Sequence, residues 1–150
     1  IVLDWDIIQI EGALLESWLP WVFTRLDELA LECRAACSLG VWIEDRNSGT
    51  VLLQQAKRRG LPAAAIESKL TSLGKVGRAM SVSGYVNQGK VKYSAHAFSK
   101  TTAYKNRAAN HLLEQVEGFR VADKDRHRED DLLDTFCYGV ALALGNHEGF

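Results

Sequence analysis

The sequence is most informative first in what it lacks. No stretch approaches the ~18 consecutive apolar residues that cross a bilayer, so no membrane partner is expected. No basic segment precedes the opening apolar residues, so a secretory signal is not expected in this stretch. The chain starts at Ile1 rather than Met, directly in an apolar run, and reads as part of a longer protein. No glycine pattern ends in Lys-Ser or Lys-Thr, so a phosphate loop is excluded. No Ser lies in nucleophile-elbow spacing. Cysteine is scarce: Cys33, Cys37 and Cys137, an odd count that fits a reducing compartment better than a disulfide framework. Cys33 and Cys37 lack two further ligands at zinc spacing, so all three are expected to be small buried side chains. There is no internal repeat, low-complexity tract or linker, and 150 residues suffice for one normal core. A single domain over residues 1–150 is expected.

The net charge is only −1, yet the charge is unevenly spread. Residues 1–45 carry nine acids against two bases, and residues 114–150 carry nine against four. Between them, residues 68–113 contain no Asp or Glu at all. That block holds Lys69, Lys75, Arg78, Lys90, Lys92, Lys100, Lys105 and Arg107. A long acid-free basic block is the footprint of a polyanion-binding surface; the plainer alternative is clustering on a solvated face.

The hydrophobic pattern predicts an α/β order. Ile1–Ile10 alternates as a strand, and residues 13–34 form a helix. Its apolar stripe comprises Leu14, Leu15, Trp18, Trp21, Val22, Leu26, Leu29 and Cys33, with a kink or restart at Pro20. Leu39–Ile43 is a buried strand that runs straight into Glu44 and Asp45. Ser48 or Thr50 caps a helix over residues 51–59, closed by Gly60. Leu61–Ile66 is a short peripheral strand with Pro62 at its start. Residues 68–74 are loop. A helix follows over residues 75–87, with Val76, Met80 and Val82 inward. Residues 90–94 form a short strand, residues 95–100 a loop and residues 101–117 a helix. After a charged loop over residues 118–128, the last helix spans residues 130–144. Its buried face is Leu132, Leu133, Phe136, Cys137, Val140 and Leu144.

The chemistry concentrates at two acidic points. Glu44 and Asp45 end a strand, where ligands of open α/β sheets gather. Asp130 and Asp131 open a helix, where the dipole also favours acids for purely structural reasons. The expectation is that these points meet and hold divalent metal, since buried carboxylates are costly unless paired or bound to a cation. His127 is a further candidate to position a metal or a water. Lys75 and Arg78, one helical turn apart, can hold a phosphate.

Three segments carry a resemblance to a known family. Val41-Trp-Ile-Glu-Asp-Arg-Asn-Ser-Gly-Thr50 is similar to the "IED-x-x-SG-T" segment in the C-terminal nuclease domain of tailed-phage terminase large subunits. Gly74-Lys-Val-Gly-Arg-Ala79 resembles that family's "K-x-x-R-A" helix start, and Asp130-Asp-Leu-Leu-Asp134 its closing "DD-x-x-D" helix. The resemblance implies a ribonuclease-H-like mixed sheet flanked by helices, and an endonuclease using two Mg2+ or Mn2+ ions. It implies cleavage of concatemeric viral double-stranded DNA, the terminase small subunit and portal as partners, and the cytoplasm of the bacterial host. Glu44 would be the second acidic ligand and Asp130 or Asp131 the third, with Asp45 supporting Glu44. The family's first ligand is an Asp on its opening strand. Residues 1–10 resemble the third strand, so the first strands, that Asp and the ATPase domain are expected to lie outside this sequence. DNA contacts would come from Lys75, Arg78, Lys90, Lys92, Lys100, Lys105 and Arg107. Two alternatives remain: an inactive DNA-binding or docking module of the same fold, and another nuclease or recombinase acting on branched or hybrid substrates.

Overall fold

Leu15, Leu19 and Phe23 recur every fourth residue and form the buried face of helix α1 (Leu15–Glu32). A computed structural model of the chain describes residues 1–121 and 129–145. It divides into two units, one of residues Gln9–Thr71 and one of Ile1–Ile8 with Ser72–Phe150.

In the Gln9–Thr71 unit, α1 is followed by strand β1 (Val41–Ile43), helix α2 (Ser48–Arg59), strand β2 (Ala63–Ala65) and a short helix α3 (Ser68–Thr71). Leu52 and Ala56 of α2 close the core against α1, with Trp18, Val41, Ile43 and Leu61 packed around it. Burying a side chain such as Leu19 contributes about 1.5–3 kcal/mol. β1 and β2 pair in parallel, Val41 opposite Ala63 and Ile43 opposite Ala65. Gly40 makes the entry possible: at φ +100°, a Cβ there would lie 2.3 Å from the Pro62 carbonyl oxygen, which accepts from the Val41 N–H at 2.9 Å.

Several expectations fail in this unit. The helix does not restart at Pro20 but runs through it, giving up one backbone bond. Leu14 and Trp21 are exposed, because the buried stripe is the narrower line of Leu15, Leu19 and Phe23. Cys33 and Cys37 are exposed, since α1 ends at Glu32 and leaves the core before them. α2 begins at Ser48 after Asn47, which takes a left-handed φ of 50°, and no side chain caps it in the expected way. Residues 68–71, expected as loop, form α3.

The other unit is built on helix α7 (Asp131–Leu144), which buries Leu132, Leu133, Phe136, Cys137, Tyr138, Val140 and Ala141. Helices α4 (Lys75–Asn87) and α6 (His111–Glu117) pack on it. α4 occupies the expected residues but turns Val82 inward while Val76 and Met80 stay exposed. Its first turns carry Lys75 and Arg78, whose side chains reach Asp130 and Asp134 at the start of α7.

Ile1–Ile10 is not a strand. Its one ladder contact among the described residues is a parallel bridge between Val2 and Tyr93, made by Val2 N–H to Lys92 O (2.7 Å) and Ser94 N–H to Val2 O (2.9 Å). The expected strand over residues 90–94 is reduced to the same bridge. The reason is local competition: the Asp4 and Asp6 carboxylates accept from the N–H groups of Trp5 and Ile7. Trp5 is nevertheless buried, its indole N–H donating to Ala97 O at 2.9 Å.

The largest error concerns residues 95–110. Ser94 caps a short helix α5 (Ala95–Ser99), its hydroxyl accepting from the Ala97 N–H. The expected helix over residues 101–117 is instead a hairpin, strands β3 (Thr102–Tyr104) and β4 (Arg107–Ala109), followed by α6. Lys105 and Asn106 both take positive φ, 45° and 62°. That backbone matches the right-handed twist of a two-residue hairpin. Asn110 then caps α6, its side-chain oxygen accepting from the Leu113 N–H at 3.0 Å.

Candidate metal and nucleic-acid site

Glu44 and Asp45 stand where β1 ends. Gly49 brings the first turn of α2 against that tip so closely that a Cβ would lie 1.9 Å from the Glu44 carbonyl oxygen. The Ser-Gly step therefore has a packing reason. The Thr50 hydroxyl donates to Asp45 at 2.6 Å, which ties the second acid to α2. Glu44 is half-buried, with Arg46 Nε 3.7 Å from its carboxylate. Arg46 also donates to the Thr71 carbonyl at 3.1 Å.

The start of α7 is the second acidic point, and it belongs to the other unit. A helix N-terminus leaves backbone N–H groups without partners, and Asp130 stands at the capping position without bonding them. Gln115 of α6 satisfies them instead, its side-chain oxygen accepting from the N–H groups of Leu132 (2.9 Å) and Leu133 (3.1 Å). The acidic side chains are thereby released for other partners. Glu129 pairs with Lys105 at 2.5 Å, Asp130 with Lys75, and Asp134 with Arg78 at 2.5 Å. Asp131 forms no ion pair among the described residues. Its carboxyl is held above the usual carboxylate range, first by lost hydration, then by the charges of Asp130, Asp134 and Glu129.

The acid-free run is not acid-free in space. Lys75, Arg78, Lys100, Lys105 and Arg107 pair with Asp130, Asp134, Asp4, Glu129 and Glu114 respectively, all acids from outside the run. Lys90 and Lys92 form no ion pair among the described residues; Lys90 lies over the Tyr85 ring, 5.8 Å from its centroid. Residues Tyr104, Lys105, Arg107, His111, Glu114, Gln115, Glu117 and Glu129 line an open polar cleft of about 810 Å³ between the hairpin and α6. His127 lies outside the described residues.

A parallel strand pair ending in carboxylates in one unit, and helices packed on an acid-rich helix in the other, define a mixed α/β protein. The chain matches the terminase RNaseH-like domain family over residues 33–142 and belongs to that family. That span includes Glu44, Lys75, Arg78, Asp130 and Asp131. No curated protein and no solved structure matches it. No helix among the described residues is long and apolar enough to cross a membrane.

Ribonuclease-H-like nucleases typically use divalent metal, and the donors here suit a hard cation. Glu44, Asp45, Asp130 and Asp131 all offer carboxylate oxygens, and a cation would relieve the disfavoured charge on Asp131. Among the described residues, no three His, Cys, Asp or Glu side chains are grouped closely enough to hold a metal. Sequence reasoning found these acids but missed Gln115 as the cap of α7, and missed the basic partners of the acids. The sequence carries no signal for these pairs: Lys75 and Arg78 are three residues apart and their partners Asp130 and Asp134 four.

Proposed function

We propose that this chain is the metal-dependent endonuclease domain of a phage DNA-packaging terminase large subunit, cutting concatemeric double-stranded DNA. The observation that carries this reading is the family match, whose span includes both acidic points and the helix start at Lys75. In this reading the metal-binding acids are drawn from Glu44, Asp45, Asp130 and Asp131, with His127 an auxiliary candidate. Two bound Mg2+ or Mn2+ ions would activate a water and stabilise the leaving oxygen of a phosphodiester. The chain's own part is to hold carboxylates in place: Gly49 and Thr50 fix the end of β1, and Gln115 fixes the start of α7. Lys90 and Lys92 are the basic-block cations best placed to meet phosphates, because Lys75, Arg78, Lys100, Lys105 and Arg107 are paired with carboxylates. The small subunit, the portal and the host cytoplasm belong to the same proposal, as does a single functional domain over residues 1–150.

A second reading is favoured by the ion pairs at Glu129, Asp130 and Asp134: a DNA-binding module of the same fold that does not cut. Digestion of supercoiled plasmid with Mg2+, Mn2+ or EDTA separates the two. Cation-dependent nicking that Glu44→Ala and Asp130→Asn each remove supports the nuclease. Nicking unchanged by Glu44→Ala refutes that ligand assignment. Salt-sensitive DNA binding without nicking supports the module. In either case Lys90→Ala with Lys92→Ala lowers the salt slope of binding by up to about two, one per lost phosphate contact, whereas Arg107→Ala changes it less.

A further inference from the structure

The open cleft between the hairpin and α6 is lined by two kinds of polar group. Four of them satisfy one another, Arg107 pairing with Glu114 and Lys105 with Glu129. Three others, all on α6, do not. Gln115 turns its side-chain oxygen to the N–H groups of Leu132 and Leu133, at 2.9 and 3.1 Å. That sets its orientation and leaves its NH2 with no acceptor among the described residues. His111 is buried, with its side chain 4% exposed. Its Nε2 lies 2.9 Å from the Thr102 carbonyl oxygen. A carbonyl only accepts, so Nε2 carries the proton and the neutral ring keeps its lone pair on Nδ1. Glu114, 3.9 Å from Nδ1, is too far to hydrogen-bond and already holds Arg107. Glu117 is exposed and forms no ion pair among the described residues. Arg120 donates to its backbone carbonyl, not to its carboxylate.

The acceptor on His111 and the donor on Gln115 lie one helical turn apart on the same face of α6. A peptide group offers the complement of both, one N–H and one C=O. Glu117 adds an uncompensated negative charge. Lys105 and Arg107 stand against Glu114, Glu117 and Glu129, so the ionised lining is one charge negative. That balance disfavours a phosphate and favours a cation. We propose that this cleft docks a segment of a partner protein that carries an arginine. A peptide N–H donates to His111 Nδ1, a peptide carbonyl accepts from the Gln115 NH2, and the guanidinium pairs with the Glu117 carboxylate. Arginine suits the place better than lysine, because its planar fork meets a carboxylate with two bonds and is more weakly hydrated. The site uses none of the acids assigned to metal, and the inference stands independently of the nuclease reading.

The test uses the full chain, labelled with 15N, and two capped peptides, acetyl-Gly-Arg-Gly-amide and the same peptide with citrulline for arginine. Citrulline keeps the shape and removes the charge. NMR titration into the millimolar range reads the His111 ring nitrogens and the Gln115 side-chain NH2. The arginine peptide is expected to shift both, and to bind about threefold to tenfold more tightly than the citrulline peptide, the scale of one partly exposed ion pair. In Glu117→Gln, an exposed position where the substitution leaves the fold intact, that preference should vanish. Equal binding of the two peptides to wild type overturns the proposal. So does peptide binding that leaves the Gln115 and His111 signals unmoved, and so does no peptide binding at all. A single-stranded oligothymidylate that shifts both signals where the arginine peptide does not would make the cleft a nucleic-acid site instead.

Discussion

Arg78 grips Asp134 with one edge of its guanidinium, Nε at 3.1 Å from one carboxylate oxygen and Nη2 at 2.5 Å from the other. The two residues lie 56 positions apart in sequence. With the third bond to Leu73 and the Tyr138 ring beneath, the side chain joins the first turns of α4 and α7.

Replacing Arg78 should therefore act on stability before it acts on ligand binding. Arg78→Ala leaves a poorly exposed carboxylate without its partner and is expected to cost about 1–3 kcal/mol. Arg78→Lys keeps the charge but loses the fork and should recover only part of that. Urea denaturation of the two variants beside wild type checks the order.

Gln115 does for α7 what a capping residue usually does from within the helix. Gln115→Ala removes the acceptor for two backbone N–H groups and is expected to destabilise the protein by about 1 kcal/mol. The amides of Leu132 and Leu133 should also lose protection from hydrogen exchange. Undiminished protection in Gln115→Ala would mean that another group, such as a rotated Asp130, can cap the helix and that Gln115 is dispensable.

The three cysteines should separate by reactivity. Cys33 and Cys37 are exposed and Cys137 is buried. Burial, then the charge of Asp134, pushes the Cys137 thiol up to about 11, with Arg78 opposing. A thiol reagent at pH 8 should modify two cysteines in the native protein and the third only after denaturation. The native thiol keeps its proton to higher pH than the unfolded one, so stability should fall as pH rises from the ordinary thiol value of 9.0 toward 11. In Cys137→Ala that part of the decline should disappear.

The sequence made α4 and α7 legible because their apolar spacing is long and regular, and the ends of both fall within a residue of those expected. The hairpin was not legible. Tyr104, Ala108 and Leu112 recur every fourth residue and imitate a helix, and the opposing signals are only Lys105-Asn106 and Asn110. The opening segment failed for the converse reason: Ile1, Leu3, Trp5 and Ile7 alternate like a strand while Asp4 and Asp6 satisfy the backbone locally. The acids of the candidate site stood out because they interrupt apolar runs. Their basic partners did not, because pairing across fifty-odd residues leaves no local pattern.

The bridge from Val2 to Tyr93 bears on how the chain assembles. The unit it belongs to is split in sequence, with residues 9–71 inserted between its first eight residues and its remainder. Closing so long a loop carries an entropic penalty that grows with the logarithm of its length. The inserted segment has no such loop to close. During synthesis it leaves the ribosome whole while the other unit still lacks its second part. Residues 9–71 are thus free to reach their native contacts first, and the opening residues must wait, apolar Trp5 and Ile7 unburied, for the later half of the chain to arrive.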